Sequence, residues 1–372
     1  MQVYDIAIIG GGIAGLSLAY FLGGKRSVVV LEREDSLGYH STGRSAAEFV
    51  LRYNSDEVCK LAAISRSFFD APPDSFADIP LLKRRGGIII CEADKVGRLR
   101  DRFAQEAVYA PLRMLSSDET LEMVPFLDPA HVAAAYHDPD FWDIEVESLV
   151  QGYVKGARHA GVDILNRAEI LKAQDTGGHW QIETPDGGVQ AKTVVNAAGG
   201  WADTVAQCFG VRPKGVVPHR RTAILVDLPA DIEAARLPEV SELDDSFYFK
   251  PDAGRLLVSP SDETPCDAAD VQPEEIDIAW AAHHLEQATT LTVKRVAKSW
   301  AGMRSFAADR LPVLGWSLEH PRFFWLAGQG GYGILSSPAL GSLAAALLTE
   351  GSAPEGFRQH VLDPAAFSPA RF

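Results

Sequence analysis

YDIAIIGGGIAGLSLAYFLGGKRSVVVLERE, residues 4–34, is the stretch that decides the fold. Ile6 to Ile9 form a short apolar run, the pattern of a buried parallel strand. Gly10, Gly12 and Gly15 follow at G-x-G-x-x-G spacing, and Ile13 to Leu22 then read as a helix. Val28 to Leu31 make a second apolar, β-branched run that Glu32 closes. In such a unit Gly10 permits the tight turn, Gly12 lets backbone approach a pyrophosphate, and Gly15 lets helix and strand pack closely. The helix start at Ile13 and Ala14 presents free N–H groups and a positive dipole end to phosphate. Glu32 is placed to accept from a ribose hydroxyl, which favours FAD or NAD over NADP. A lone glycine fingerprint is weak, but here strand, glycines, helix, second strand and carboxylate occur in order. The expectation is an α/β chain that binds a dinucleotide.

The 372 residues suffice for two domains, and 47% hydrophobic content supports sizeable cores. A net charge of −15, with no basic run, argues against nucleic acid or an acidic membrane surface as the main partner. Cys59, Cys91, Cys208 and Cys266 are scattered without metal-ligand spacing, so neither a disulfide framework nor a metal site is expected. The first strand pattern begins within a few residues of the start, and no apolar stretch approaches the ~20 residues of a spanning helix. We therefore expect no signal peptide, no integral membrane segment and a cytoplasmic protein.

Along the rest of the chain, Ser55 reads as the N-cap of a helix to Asp70, and Gly87 to Cys91 as a strand. Ser116 and Glu119 have capping-box spacing. Ser148 to His159 reads as a helix, and Trp180 to Thr184 and Val189 to Val195 as a hairpin running into Asn196-Ala-Ala-Gly-Gly-Trp201. Thr222 to Val226, Ser246 to Lys250 and Arg255 to Val258 read as an antiparallel sheet, and Gln272 to Leu285 as a helix. Trp300 to Ser305 is read as a segment preceding the strand Phe323 to Leu326. Ser337 to Thr349 reads as a small-residue helix behind the glycine loop at 328–333. The loop Gly38 to Ala47 is rich in small and hydroxyl residues, with Arg44 as a candidate to neutralise a phosphate; a polar surface turn reads equally well.

GYHSTGRSAA at 38–47, NAAGGW at 196–201, SFYFKPDAG at 246–254, WAGMRSF at 300–306 and GQGGYGI at 328–334 occur in this order. With them the chain resembles the FAD-dependent D-amino-acid oxidoreductase family, and within it the bacterial D-arginine dehydrogenases most. The resemblance implies a Rossmann-like FAD-binding domain from residues 1–77, 146–212 and 303–372, and a substrate domain with a large mixed sheet from 78–145 and 213–302. For the cofactor it implies Gly10, Gly12, Ile13, Ala14, Gly15, Glu32 and Arg33, then Ser41, Thr42, Arg44, Ser45, Ala46 and Ala47. It adds Ile170, Ala197, Ala198, Gly199 and Trp201, and finally Gly302, Arg304, Gly330, Gly331, Tyr332, Gly333 and Ile334. Sarcosine oxidases carry a flavin-linking cysteine where this chain has Gly302, so the FAD is expected to be non-covalent.

The implied reaction is oxidative deamination: hydride passes from Cα to flavin N5, and the imine is hydrolysed to a 2-oxo acid and ammonia. By resemblance Arg221 and Arg304 clamp the substrate carboxylate, Tyr248 adds a hydroxyl, the Gly331 carbonyl accepts from the amine, and Tyr53 is a lid residue. The side-chain pocket departs from the family pattern at Glu48, Val50, Gly87, Glu239, Ser241 and Leu335. The acidic anchor for a guanidinium falls at Gly87 and is missing. Glu48 and Glu239 either restore its charge or are surface carboxylates, while Arg52, if inward, opposes a cation. The reading is a D-amino-acid dehydrogenase or oxidase with an altered pocket. Its rivals are a glycine, sarcosine or other secondary-amine oxidase, a NAD-dependent dehydrogenase, and a non-catalytic FAD-binding protein. The electron acceptor (quinone, electron-transfer protein or dioxygen) is left open.

Overall fold

The computed structural model describes residues 3–53 and 55–372, and two large sheets organise it. In the first, Val3–Ile9 lies parallel between Val28–Leu31 and Gly187–Asn196. Asp163–Leu165 extends the sheet beyond Val28–Leu31. The far side of Gly187–Asn196 is shared by two neighbours: its start pairs antiparallel with Trp180–Thr184, its end parallel with Phe323–Ala327. Burial on both faces explains why these strands read as unbroken apolar runs. The helices Ile13–Leu22 and Ser337–Thr349 cover one face through Leu18, Leu22, Leu340 and Leu343.

The nine-stranded second sheet is built on strict alternation. Ile224, Val226, Val258, Phe249, Val240, Ile88 and Ile90 form one face, covered by Ala281 and Leu285 of the helix Glu275–Ala288. The residues between them form the other face. Cross-strand partners project the same way, so Arg221 stands beside Gly302, Tyr248 beside Ser241, and Glu239 beside Gly87, which in turn neighbours Asp138. One sheet face thus runs from two arginines, through a tyrosine, to a row of acids.

Two expectations are corrected. Trp300 to Ser305 is not a segment preceding a strand; it lies inside the eleven-residue strand Val296–Phe306, which pairs along the whole of Val217–Val226. The helix expected at 272–285 runs Glu275–Ala288, because Pro273 disfavours helical backbone at Gln272 and Glu274 is extended at its N-cap.

The helix Asp56–Asp70 begins where expected, the Ser55 hydroxyl accepting from the Val58 N–H at 3.2 Å. Ser55→Ala is expected to cost about 1 kcal/mol, seen as a lowering of the thermal midpoint by about 1–4 °C. An unchanged midpoint would mean that packing of Val58, Leu61 and Phe69 alone fixes this helix start.

Candidate active site

The ends of the parallel strands and the charged face of the second sheet border a cavity. From the first sheet it is lined by Gly10, Gly12, Ile13, Ala14, Glu32, Arg33, Ile170, Ala197, Ala198, Gly199 and Trp201. The 38–47 loop adds Ser41, Thr42, Arg44, Ser45 and Ala46. The second sheet contributes Arg221, Tyr248, Gly302 and Arg304, and the last glycine loop Gly330, Gly331, Gly333 and Ile334.

The glycine turn is closed by contacts that tolerate no side chain. Gly10 has φ +110°, and a Cβ there would lie 2.5 Å from the Ala197 carbonyl oxygen. Gly15 does not line the cavity; a Cβ on it would lie 2.0 Å from the Gly10 carbonyl oxygen, so it sets how closely helix and strand approach. The Thr42 hydroxyl accepts from the Ile13 N–H at 3.0 Å, tying the second loop to the helix start. Glu32 accepts from the N–H groups of Gly11 (2.7 Å) and Glu34 (2.8 Å), which fixes its carboxylate at the cavity wall with lone pairs to spare.

Three polar groups that the sequence reading overlooked also line the cavity: His40, Ser305 and Gln329. His40 Nδ1, Ser305 Oγ and Gln329 Nε2 are buried without a hydrogen-bond partner among the described residues. Buried polar atoms are rarely left unpaired, so these await a polar ligand that spans the cavity. His40 and Gln329 sit inside the loops already singled out, but one-letter patterns do not show which loop side chains turn inward. A dinucleotide fits this wall: backbone donors at the helix start, a carboxylate, and unpaired polar atoms at intervals.

Other expected residues fall elsewhere. The Ala47 carbonyl accepts from Ile144 N–H at 3.2 Å. Tyr332 is buried, its hydroxyl bonded to the Arg310 carbonyl and its ring edge-on to Tyr53 at 5.9 Å. Arg44 reaches the cavity, but its guanidinium donates to the carbonyls of Val271 (2.9 Å) and Ala301 (3.1 Å) and pairs with Asp270. That charge is spent within the protein, and a phosphate role for it is not supported.

At the arginine end, neighbours in sequence part company. Arg220 points to the helix-covered face and pairs with Asp277 (3.0 Å) and Glu274. Arg221 points into the cavity, held by its Nε donating to the Asp262 carbonyl at 2.7 Å. Arg304 makes no hydrogen bond or ion pair among the described residues, and a Cβ on Gly331 would lie 3.2 Å from its guanidinium carbon. Burial, and then the charge of Arg304, pull Arg221 down to about 10. Two guanidinium groups so placed favour an anion between them.

Tyr53, Glu48, Val50, Gly87, Glu239, Ser241 and Leu335 do not line the cavity. Leu335 belongs to the apolar cluster around Phe49 and Tyr153, and Val50 is also buried. A Cβ on Gly87 would lie 2.6 Å from the Phe141 ring. Arg52 does face inward, donating to Asp138 at 2.8 Å and Glu106 at 3.2 Å.

Fold and cavity together define a two-sheet, dinucleotide-binding oxidoreductase. The chain belongs to the FAD dependent oxidoreductase (DAO) family, whose profile matches residues 5–347. It is 27% identical over 370 residues to glycine oxidase of Geobacillus kaustophilus, covering 93% of each chain. The crystal structure of glycine oxidase from that species superimposes with a TM-score of 0.84 at 26% identity, over 100% of both chains. L-proline dehydrogenase from P. horikoshii gives a TM-score of 0.85 at 21% identity, over 100% of this chain and 98% of that one, a likeness of fold alone. Mitochondrial dimethylglycine dehydrogenase of Rattus norvegicus is 24% identical over 391 residues; the match takes in 97% of this chain but 44% of that protein. The chain thus spans less than half the length of the dimethylglycine dehydrogenases it matches. FAD is the cofactor. Among the described residues no helix is long and apolar enough to cross a membrane.

Proposed function

We propose that the protein oxidises a D-amino acid at Cα, giving an imine that water hydrolyses to a 2-oxo acid and ammonia. The observation that carries this reading is the pair Arg221 and Arg304, side by side on one sheet face at the cavity wall, Arg221 with Glu263 at 3.7 Å and Arg304 without an ion pair among the described residues. A substrate carboxylate completes that pair, and Tyr248 adds a donor beside it. The Gly331 carbonyl, across from Arg304, receives the amine, so that carboxylate and amine together fix which bond at Cα faces the cofactor. FAD, when bound, takes up the hydride; the protein binds, orients and keeps water away. Return of the electrons to dioxygen, a quinone or a carrier protein is a separate step. We read the location as cytoplasmic.

A second reading, oxidation of glycine, sarcosine or another small secondary amine, is favoured by the cavity wall stopping at Tyr248 and Arg304, short of the pocket residues. The named relatives act on compounds of that size. One experiment separates the two: the yellow protein is mixed anaerobically with D- and L-amino acids, glycine, sarcosine and proline, and bleaching of the flavin band is followed. Faster bleaching by D-amino acids than by their L-forms and by sarcosine is the expected result. Bleaching confined to sarcosine, glycine or proline would transfer the assignment to the second reading. A flavin that none of them bleaches would overturn both.

A further inference from the structure

Resting on the reading of Arg221 and Arg304 as a carboxylate clamp, we propose that Glu263 and Arg310 set the strength of that clamp. Glu263 is a resident anion that competes with the substrate carboxylate for Arg221, and Arg310 holds it aside. Neither residue lines the cavity; both act through Arg221, which does, and so are positioning residues.

Glu263 is placed by the residue before it. The Asp262 carboxylate accepts from the Thr222 N–H (2.6 Å) and hydroxyl (3.1 Å), and the Asp262 carbonyl accepts from Arg221 Nε (2.7 Å). Position 262 is thereby pinned to the strand Val217–Val226, which keeps the next residue close to Arg221. Glu263 then meets two guanidinium groups with separate oxygens. Its Oε1 lies 2.5 Å from Arg310 Nη1, and its Oε2 lies 3.7 Å from Arg221 Nη2. The first contact is a charge-assisted hydrogen bond, and the second is too long to be one. Among the described residues Nε is the one Arg221 nitrogen that makes a hydrogen bond, so the outer nitrogens are left for a ligand. Arg310 is fixed from its own side: its guanidinium lies 3.8 Å from the Phe306 ring centre, and its carbonyl accepts from the Tyr332 hydroxyl. Burial works to raise the Glu263 carboxyl, but Arg310 and then Arg221 outweigh it and hold it below the ordinary carboxylate range. Glu263 is therefore an anion at neutral pH, bound firmly to Arg310 and loosely to the clamp. Without Arg310 the same carboxylate would fall onto Arg221.

The test uses acetate, which presents a carboxylate alone, and the amino acid that reduces the flavin fastest. The Kd for acetate is read from its perturbation of the flavin band in oxidised holoenzyme, and that for the amino acid from anaerobic stopped-flow reduction, both at constant ionic strength. Glu263→Gln is expected to lower both Kd values by about 3- to 10-fold, and Arg310→Gln to raise them by about as much. The double variant E263Q/R310Q should bind as tightly as Glu263→Gln, because Arg310 then has no carboxylate to hold aside. An ion pair that only supports the fold would move both single variants the same way. A Kd that moves the same way in both, fails to fall in Glu263→Gln or fails to rise in Arg310→Gln would overturn the proposal. Acetate binding that Arg304→Ala leaves unchanged would instead remove the clamp on which it rests.

Discussion

Arg304→Ala is expected to lower the rate of flavin reduction over Kd by about 30- to 5,000-fold for the best amino-acid substrate, or about 2–5 kcal/mol. The size follows from what the change leaves behind. Arg221 is half-buried, held to the Asp262 carbonyl and 3.7 Å from Glu263, so one guanidinium would face the substrate carboxylate where two did. Arg304→Lys should recover only part of the loss, because an ammonium cannot offer the planar two-point grip of a guanidinium. Anaerobic stopped-flow titration separates binding from chemistry. A Kd for substrate that does not move in Arg304→Ala would remove Arg304 from the carboxylate clamp.

Gly15→Val is expected to yield a protein that purifies with little or no flavin, although position 15 touches no cavity space. Its Cβ would stand 2.0 Å from the Gly10 carbonyl oxygen, which is backbone and cannot step aside. Relief requires the helix Ile13–Leu22 to move off the first strand, taking with it the Ile13 N–H and its bond to Thr42. Gly97→Ala is the control, since nothing lies within 4 Å of a Cβ there and alanine suits its helix better than glycine. The ratio of visible flavin to protein absorbance reads both variants. Full flavin content in Gly15→Val would show that the turn adapts and that the close approach is not required.

Much of this architecture is legible in the sequence, and what is not has a physical reason. The helices Ile13–Leu22 and Ser337–Thr349 and the strands Val28–Leu31 and Gly87–Cys91 fall at the expected bounds, because each is an apolar run cut off by glycine, serine or a charge. Val296–Phe306 is hidden because its cavity-lining residues, Trp300, Gly302 and Arg304, break the apolar alternation that marks a strand. The same cause shortened Val217–Val226, whose first half reads as the polar run His219-Arg220-Arg221. The partners of these groups are non-local. Nothing near Arg44 announces Asp270, and nothing near Arg220 announces Asp277, so the sequence cannot show which charges are already spent. Lys250, buried with Asp143 and Glu48, went unnoticed for the same reason.

Alternation in the second sheet also separates two kinds of evolutionary freedom. Positions 88, 240 and 249 hold the sheet to its covering helix, while 87, 239, 241 and 248 touch only the opposite side. Exchanges at the second set leave the apolar layer under the covering helix untouched. Glu239 stands beside Gly87 on that side, while the hydrophobic layer beneath pairs Ile88 with Val240. The side that packs the sheet and the side that meets the cavity wall are therefore set by different residues of the same strands.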